Sequence, residues 1–177
     1  MTRVDSPFPD SVFPLNRDPD IIEIGIGEIG MGQAPKRLLT PALGSCVAVA
    51  LHDPFMRRGC LAHVMLPNAP ENGGAQFEPG RFADTAIVAM IEMLRREGTL
   101  KRRLQAKIAG GAAMFRGETA IAGIGGRNVS EVKRQLALMS IPLLAEDTGE
   151  AHARTVEFFL ETGEVLVRSY QFGIIRL

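Results

Sequence analysis

Val47-Ala48-Val49-Ala50-Leu51-His52-Asp53-Pro54-Phe55-Met56-Arg57-Arg58-Gly59-Cys60-Leu61-Ala62-His63-Val64-Met65-Leu66 is the stretch that decides the fold. Two apolar runs, Val47 to Leu51 and Leu61 to Leu66, flank the turn-forming segment Asp53 to Gly59, which is a hairpin signal. Side chains alternate along a strand and directly paired residues share a face. Cys46, just before the first run, and His63, in the second, differ in parity. They therefore share a face only if paired residue numbers sum to an odd value. A four-residue loop, Pro54 to Arg57, pairs Asp53 with Arg58, sets His63 opposite Ala48 and satisfies that condition. A five-residue loop sends the two side chains to opposite faces, and the sequence leaves both registers open. In the first register the thiol lies two residues beyond His63's partner, about 7 Å of strand.

Upstream, Leu43-Gly44-Ser45-Cys46 brings the cysteine out of a glycine turn into the first strand. A cysteine there is held rigidly with its backbone N–H at the strand's start, and a histidine on the next strand can serve as its base. The plainer alternative is a small buried hydrophobe beside a core histidine. Cys60 has the opposite parity from His63 and reads as packing, and His52, beside the turn, is expected to be exposed. Cys60-Leu61-Ala62-His63 has metal-like spacing, but only Cys46, His52 and His152 could complete a site. A structural zinc site needs four ligands at paired spacings, so neither a metal nor another cofactor is expected.

The chain of 177 residues is long enough for one domain with a real core. With 20 basic and 20 acidic residues its formal charge is zero, which argues against a nucleic-acid footprint. Arg95-Arg96 and Lys101-Arg102-Arg103, its basic cluster, suit a helix C-terminus better than a phosphate backbone. No apolar run approaches a membrane span or a signal peptide, and two cysteines suit reduced thiols. The expectation is a cytoplasmic protein with no membrane insertion. Pro7, Pro9, Pro14 and Pro19 mark residues 1–19 as a flexible N-terminal tail, leaving 20–177 as the domain.

Ile21 to Ile24 reads as a strand. Gly25-Ile26-Gly27-Glu28-Ile29-Gly30 matches a dinucleotide fingerprint in letters only, because Gly32 and Pro35 interrupt the helix that such a turn must open. Phe82 to Glu97 is an amphipathic helix with Ala83, Ile87, Met90, Ile91 and Leu94 on one face and Gly98 as its stop. Gln105 to Ala109 is a strand ended by Gly110-Gly111. Asn128-Val129-Ser130-Glu131 reads as a capping box opening a second helix that ends near Met139. Ile141 to Ala145 returns as a strand, and Val156 to Leu160 and Glu164 to Arg168 close the domain as a hairpin. The predicted fold is α/β: a single-domain layered sandwich, a mixed sheet carrying the Cys/His hairpin, with two main helices packed on it.

The order of short motifs resembles the CheD family of chemoreceptor glutamine deamidases across nearly the whole chain after the tail. They are Thr40, Leu43-Gly44-Ser45-Cys46-Val47, Ala62-His63-Val64-Met65-Leu66-Pro67, Arg81-Phe82-Ala83-Asp84-Thr85-Ala86-Ile87, Ala106-Lys107-Ile108-Ala109-Gly110-Gly111-Ala112, Met114-Phe115, Gly126-Arg127-Asn128, Asp147, Gly149, Arg154-Thr155-Val156 and Thr162-Gly163-Glu164-Val165. The resemblance implies hydrolysis of glutamine side chains on methyl-accepting chemotaxis receptors by a Cys-His-Thr constellation, here Cys46, His63 and Thr40, through a Cys46 thioester. The Cys46 N–H is then the natural oxyanion donor, and Gly44 and Ser45 form the loop facing substrate. Thr40 orients the imidazole through its hydroxyl or its carbonyl. Some members of the family bind a CheC-like phosphatase, and methylesterase activity would use the same thioester. The alternatives are a low-turnover module that binds such a phosphatase or the receptor array, and a related cysteine hydrolase such as a toxin-like deamidase. One departure stands out: where the family usually shows a glycine pair and then Gly-Arg, Asp147-Thr148-Gly149-Glu150-Ala151-His152-Ala153-Arg154 substitutes Glu150 and Ala153.

Overall fold

The β-rich pattern resolves into two five-stranded sheets and two helices. The computed structural model describes residues 18–70, 78–114 and 123–177. Most of the expected proline-rich tail, and Phe115 of the Met114-Phe115 motif, lie outside the described residues. In chain order the elements are β1 (Ile21–Glu23), β2 (Ile29–Gln33), β3 (Arg37–Leu43), β4 (Val47–Asp53), β5 (Arg58–Val64), α1 (Ala83–Arg96), β6 (Gln105–Gly110), α2 (Ile124–Leu138), β7 (Leu143–Thr148), β8 (Arg154–Phe159), β9 (Val165–Ser169) and β10 (Gly173–Arg176). One sheet has the order β1-β3-β8-β9-β10 and the other β2-β5-β4-β6-β7. Each is mixed, with parallel pairs at β1–β3 and β6–β7. The predicted α/β sandwich is the fold, with its strands shared between two sheets.

The central hairpin explains this layering. Every residue of β4 is buried, so both of its faces must be covered. Val47, Val49 and Leu51 join Cys60, Ala62 and Val64 under α1 and α2, against Ile87, Met90, Leu94, Val132 and Leu136. Ala48, Ala50 and Leu61 face the other way, toward Leu38, Leu43, Val156, Phe158 and Val167 of the first sheet. The layers therefore run sheet, sheet, helices, with one apolar core on each side of β4 and β5. On the inter-sheet face small residues of β4 oppose large ones of the other sheet, which lets the layers approach closely.

Several expectations shift in detail. His52 is buried, not exposed: its Nε2–H donates to the Leu160 carbonyl at 3.0 Å and its ring meets Phe158 edge-on. Gly163, at φ +77°, makes the room, since a Cβ there would strike the imidazole. Helix α2 begins at Ile124 after Gly123, so Asn128 is an interior residue and not the cap of a capping box. Gly125 lies so close to the Gly111 and Ala112 carbonyls that a side chain there would collide with them. The glycines that read as loop are thus what allows the first turn of the helix to dock. The Gly25 to Gly30 segment leads into β2 and no helix follows it.

Candidate active site

The hairpin adopts the register that brings the chemistry together. Asp53 pairs with Arg58 and Ala48 with His63. Asp53 Oδ1 accepts the N–H groups of Phe55 and Met56 at 3.1 and 3.3 Å, and Arg57 takes the left-handed conformation at φ +47°, which closes a four-residue loop. Cys46, Ala48, Leu61 and His63 consequently share the inter-sheet face, with Cys46 half-buried and His63 buried. Cys60 lies on the helix face, where burial pushes its thiol up to about 12. Cys60 and His63 thus point to opposite sides of one strand and do not form a shared metal site.

Thr40 reaches the same point from the other sheet. It follows Leu38 on the inward face of β3 and is fully buried. Its Oγ1 donates to the Ile24 carbonyl at 2.8 Å and lies 2.7 Å from His63 Nδ1. The single hydroxyl hydrogen is engaged by Ile24, so Nδ1 carries the proton and donates to Oγ1, which leaves Nε2 with the free lone pair. Nε2 is buried and has no hydrogen-bond partner among the described residues. The hydroxyl, and not the carbonyl, therefore faces the imidazole. The backbone of His63 is fixed as well, its carbonyl accepting from Gly27 N–H at 2.9 Å and its N–H donating to Glu28 at 3.1 Å.

The Cys46 turn is held from three directions. Between Thr40 and Leu43 three steps of β3 oppose two of β8, a bulge in which Ala42 sits at φ +57° and which turns the chain from one sheet into the other. Gly111 N–H donates to the Cys46 carbonyl at 2.8 Å and Ala112 N–H to Gly44 at 2.9 Å. Gly110, at φ +112°, lies where any side chain would hit the Cys46 carbonyl. Met114 Cγ lies 3.1 Å from where a Gly44 Cβ would stand, so Met114 occupies the space beside the turn. The Cys46 N–H makes no hydrogen bond with another described residue. Burial raises the Cys46 thiol pKa and lowers that of His63, and both shifts favour the neutral form of the group.

Asn128, read from the sequence as a helix cap and as part of a family motif, was not assigned to the site. Fully buried, it donates from Nδ2 to the Ser45 carbonyl at 2.9 Å and to the Met65 carbonyl at 3.0 Å, tying the cysteine turn to the end of the histidine strand. Its signal was a polar residue on the buried face of the helix, which Gly125, Val132, Gln135 and Leu136 complete. Arg154, also fully buried, binds Asp147 at 2.9 Å and the Gly149 and His152 carbonyls at 3.0 and 3.2 Å, clamping the loop that carries Glu150. Gly149 and Glu150 both have positive φ, +81° and +57°. Two glycines would adopt this path freely, whereas Glu150 bears a cost of about 1 kcal/mol. Ala113 N–H donates to the Glu150 carbonyl at 2.7 Å, which links this loop to the Cys46 turn through the chain 111–113.

A thiol, an imidazole with one ring nitrogen held and the other free, and an unbonded N–H at a strand end are the groups that cysteine hydrolysis would need. Comparison with known proteins gives the family. Residues 65–169 match the model of the family described as CheD chemotactic sensory transduction. The chain is 50% identical over 150 residues to the chemoreceptor glutamine deamidase CheD of Thermotoga maritima, covering 85% of this chain and 92% of that protein. It is 42% identical over 157 residues to the probable chemoreceptor glutamine deamidase CheD of Clostridium novyi, covering 88% and 96%. The family model covers residues 65–169 and each of the two relatives covers more than four-fifths of the chain, and on these matches the chain belongs to the CheD family.

Proposed function

We propose that this protein is a glutaminase of chemotaxis receptors, hydrolysing selected glutamine side chains to glutamate in the cytoplasm with Cys46 as nucleophile, His63 as acid and base, and Thr40 as the residue that orients the base. The observation that carries the reading is the Thr40 to His63 Nδ1 contact, which leaves a buried and unpartnered Nε2 on the face that Cys46 shares. Among the described residues no helix is long and apolar enough to cross a membrane.

Burial favours a neutral resting pair, so the proton moves as the bond forms. Nε2 takes the thiol proton while Sγ attacks the carboxamide carbon, and the oxygen gathers charge beside the Cys46 N–H. The imidazolium returns the proton to the nitrogen, ammonia leaves, and a thioester remains. Water then enters, giving one proton to Nε2 as its oxygen adds to the thioester carbon, and the tetrahedral centre expels Sγ, which takes that proton back from the imidazolium to restore the thiol and release the glutamic acid side chain. The balance is one carboxamide and one water in, one carboxylic acid and one ammonia out. Removing charge separation from the ground state suits a buried site, where a standing ion pair would be costly.

Mass spectrometry of receptor cytoplasmic fragments incubated with the protein tests the proposal. Conversion of glutamine to glutamate is expected with the parent and with Cys60→Ala, and none with folded Cys46→Ala. Conversion by the Cys46 variant at the parental rate would end the cysteine mechanism. Receptor binding without conversion by the parent would favour the low-turnover regulatory role.

A further inference from the structure

We propose that Glu150 is a specificity-determining residue that reads a positive charge on the substrate, two helical turns from the target glutamine. This rests on the deamidase reading above and names the feature by which the same site selects among glutamines.

Position comes first. At the end of the second sheet where the thiol lies, the strand ends run in the order residues 27–28, 63–64, 46–47, 110–111 and 148–149, following the pairing β2-β5-β4-β6-β7. Gly149 N–H donates to Gly110 at 2.9 Å, so the loop after β7 begins level with the residue beside the Cys46 carbonyl. Two strand spacings separate it from Cys46, about 10 Å. On a helical substrate the residue seven positions from the glutamine lies on the same face, about 10.5 Å away. The two spacings match, so a helix laid across the sheet end with its glutamine at Cys46 brings that residue to Glu150.

Presentation comes second. Glu150 is exposed, and its carboxylate makes no hydrogen bond or ion pair with another described residue. The loop beneath it is nevertheless held by Arg154 through Asp147, Gly149 and His152, and Ala113 holds the Glu150 carbonyl. A glutamate kept in the left-handed region on a clamped loop has a fixed backbone and an unused charge. Such an outlier beside a site points to a role for the side chain, since glycine would give the same path without strain. A lysine or arginine on the substrate is the group it would take.

The test uses helical receptor fragments with one target glutamine and either lysine or glutamate seven positions before or after it. Parent, Glu150→Gln and Glu150→Lys are assayed for kcat/KM, and the Gln and Lys variants keep the backbone strain while changing only the charge. The parent should prefer lysine over glutamate on one side by about threefold to tenfold, in line with exposed charge pairs. The preference should vanish in Glu150→Gln, invert in Glu150→Lys, and fade with added salt. Protection of Cys46 from alkylation by the same fragments reads binding without turnover. Charge-dependent protection with no deamidation would refute the deamidase reading and leave this inference standing. Equal rates and equal protection across the fragments and variants would overturn the inference whatever the activity.

Discussion

Replacing Asn128 by alanine should damage the site more than the fold. The amide donates two buried hydrogen bonds, to Ser45 and Met65. Each is worth about 0.5–1.5 kcal/mol net, so their loss alone would cost about 1–3 kcal/mol. Asn128 Oδ1, however, is buried without a partner among the described residues, and deleting it removes an unsatisfied acceptor that already costs about 1 kcal/mol or more. The net destabilisation should therefore be at most about 2 kcal/mol, read as a lower urea midpoint with an unchanged slope. Turnover should fall much further. The two bonds set the Cys46 turn against the His63 strand, and a displacement of about 1 Å at a reacting centre costs about a hundredfold. Deamidation kinetics and the pH profile of Cys46 alkylation should both change, with KM for the receptor fragment near the parental value. A stability loss of the stated size with kcat within about twofold of the parent would show that the clip holds the fold only.

His63→Ala should lower turnover by about two to four orders of magnitude, and Thr40→Val should also be severe because the hydroxyl is the group on Nδ1; a mild Thr40→Val defect in single-turnover assays would refute that assignment. Cys46 alkylation should be slow at neutral pH, rise above the ordinary cysteine range and slow further in His63→Ala, and unchanged kinetics in that variant would show that the thiol does not depend on the imidazole. Burial lowers the pKa of both His52 and His63, so below about pH 6.5 the unfolded chain binds protons that the folded one refuses and stability falls. Glu131, held below the usual carboxylate range chiefly by Arg134, and Glu92, held at about 2 chiefly by Arg95, titrate below that window. Denaturation midpoints that do not fall between about pH 7.5 and pH 5.5 would contradict this sign. Glu150→Gly should raise the denaturation midpoint, a net gain of about 0.5 kcal/mol after the greater chain entropy of glycine is counted; a lower midpoint would show that the left-handed conformation costs nothing here.

The sequence carried the local structure well and the long-range structure less well. Parity along β4 and β5 narrowed the hairpin to two registers, and the choice between them lay in the Asp53 side chain bonding its own turn. The first helix was visible in its apolar spacing and in its stop at Gly98, which takes φ +85°, whereas the second was read from a capping-box pattern and starts four residues earlier, at Ile124. The split into two sheets was not visible, because β4 is buried on both faces and an apolar run has no preferred side. His52 was misjudged for the same reason: its neighbours Phe158, Leu160 and Gly163 come from strand β8 and the turn after it, more than a hundred residues away. Strand β10, whose residues are all exposed, lacked the alternation that marks a half-buried strand. At the site, Cys46, His63 and Thr40 came from spacing and family resemblance, and the structure brings His63 into contact with Thr40. Asn128 was hidden behind a capping-box pattern that matched in letters.

The thiol and the imidazole are carried by one hairpin, whereas the hydroxyl that fixes the imidazole tautomer belongs to the opposing sheet. Thiol and imidazole therefore stay neighbours in any state that keeps β4 and β5 paired, including one in which the outer sheet has come away. Tautomer control does not survive such a state, because it is a property of the closed sandwich. A nascent or partly opened chain holds a cysteine beside an imidazole free to present either nitrogen. Under the proposed mechanism, the tautomer that presents Nε2 to the thiol therefore requires both sheets in place.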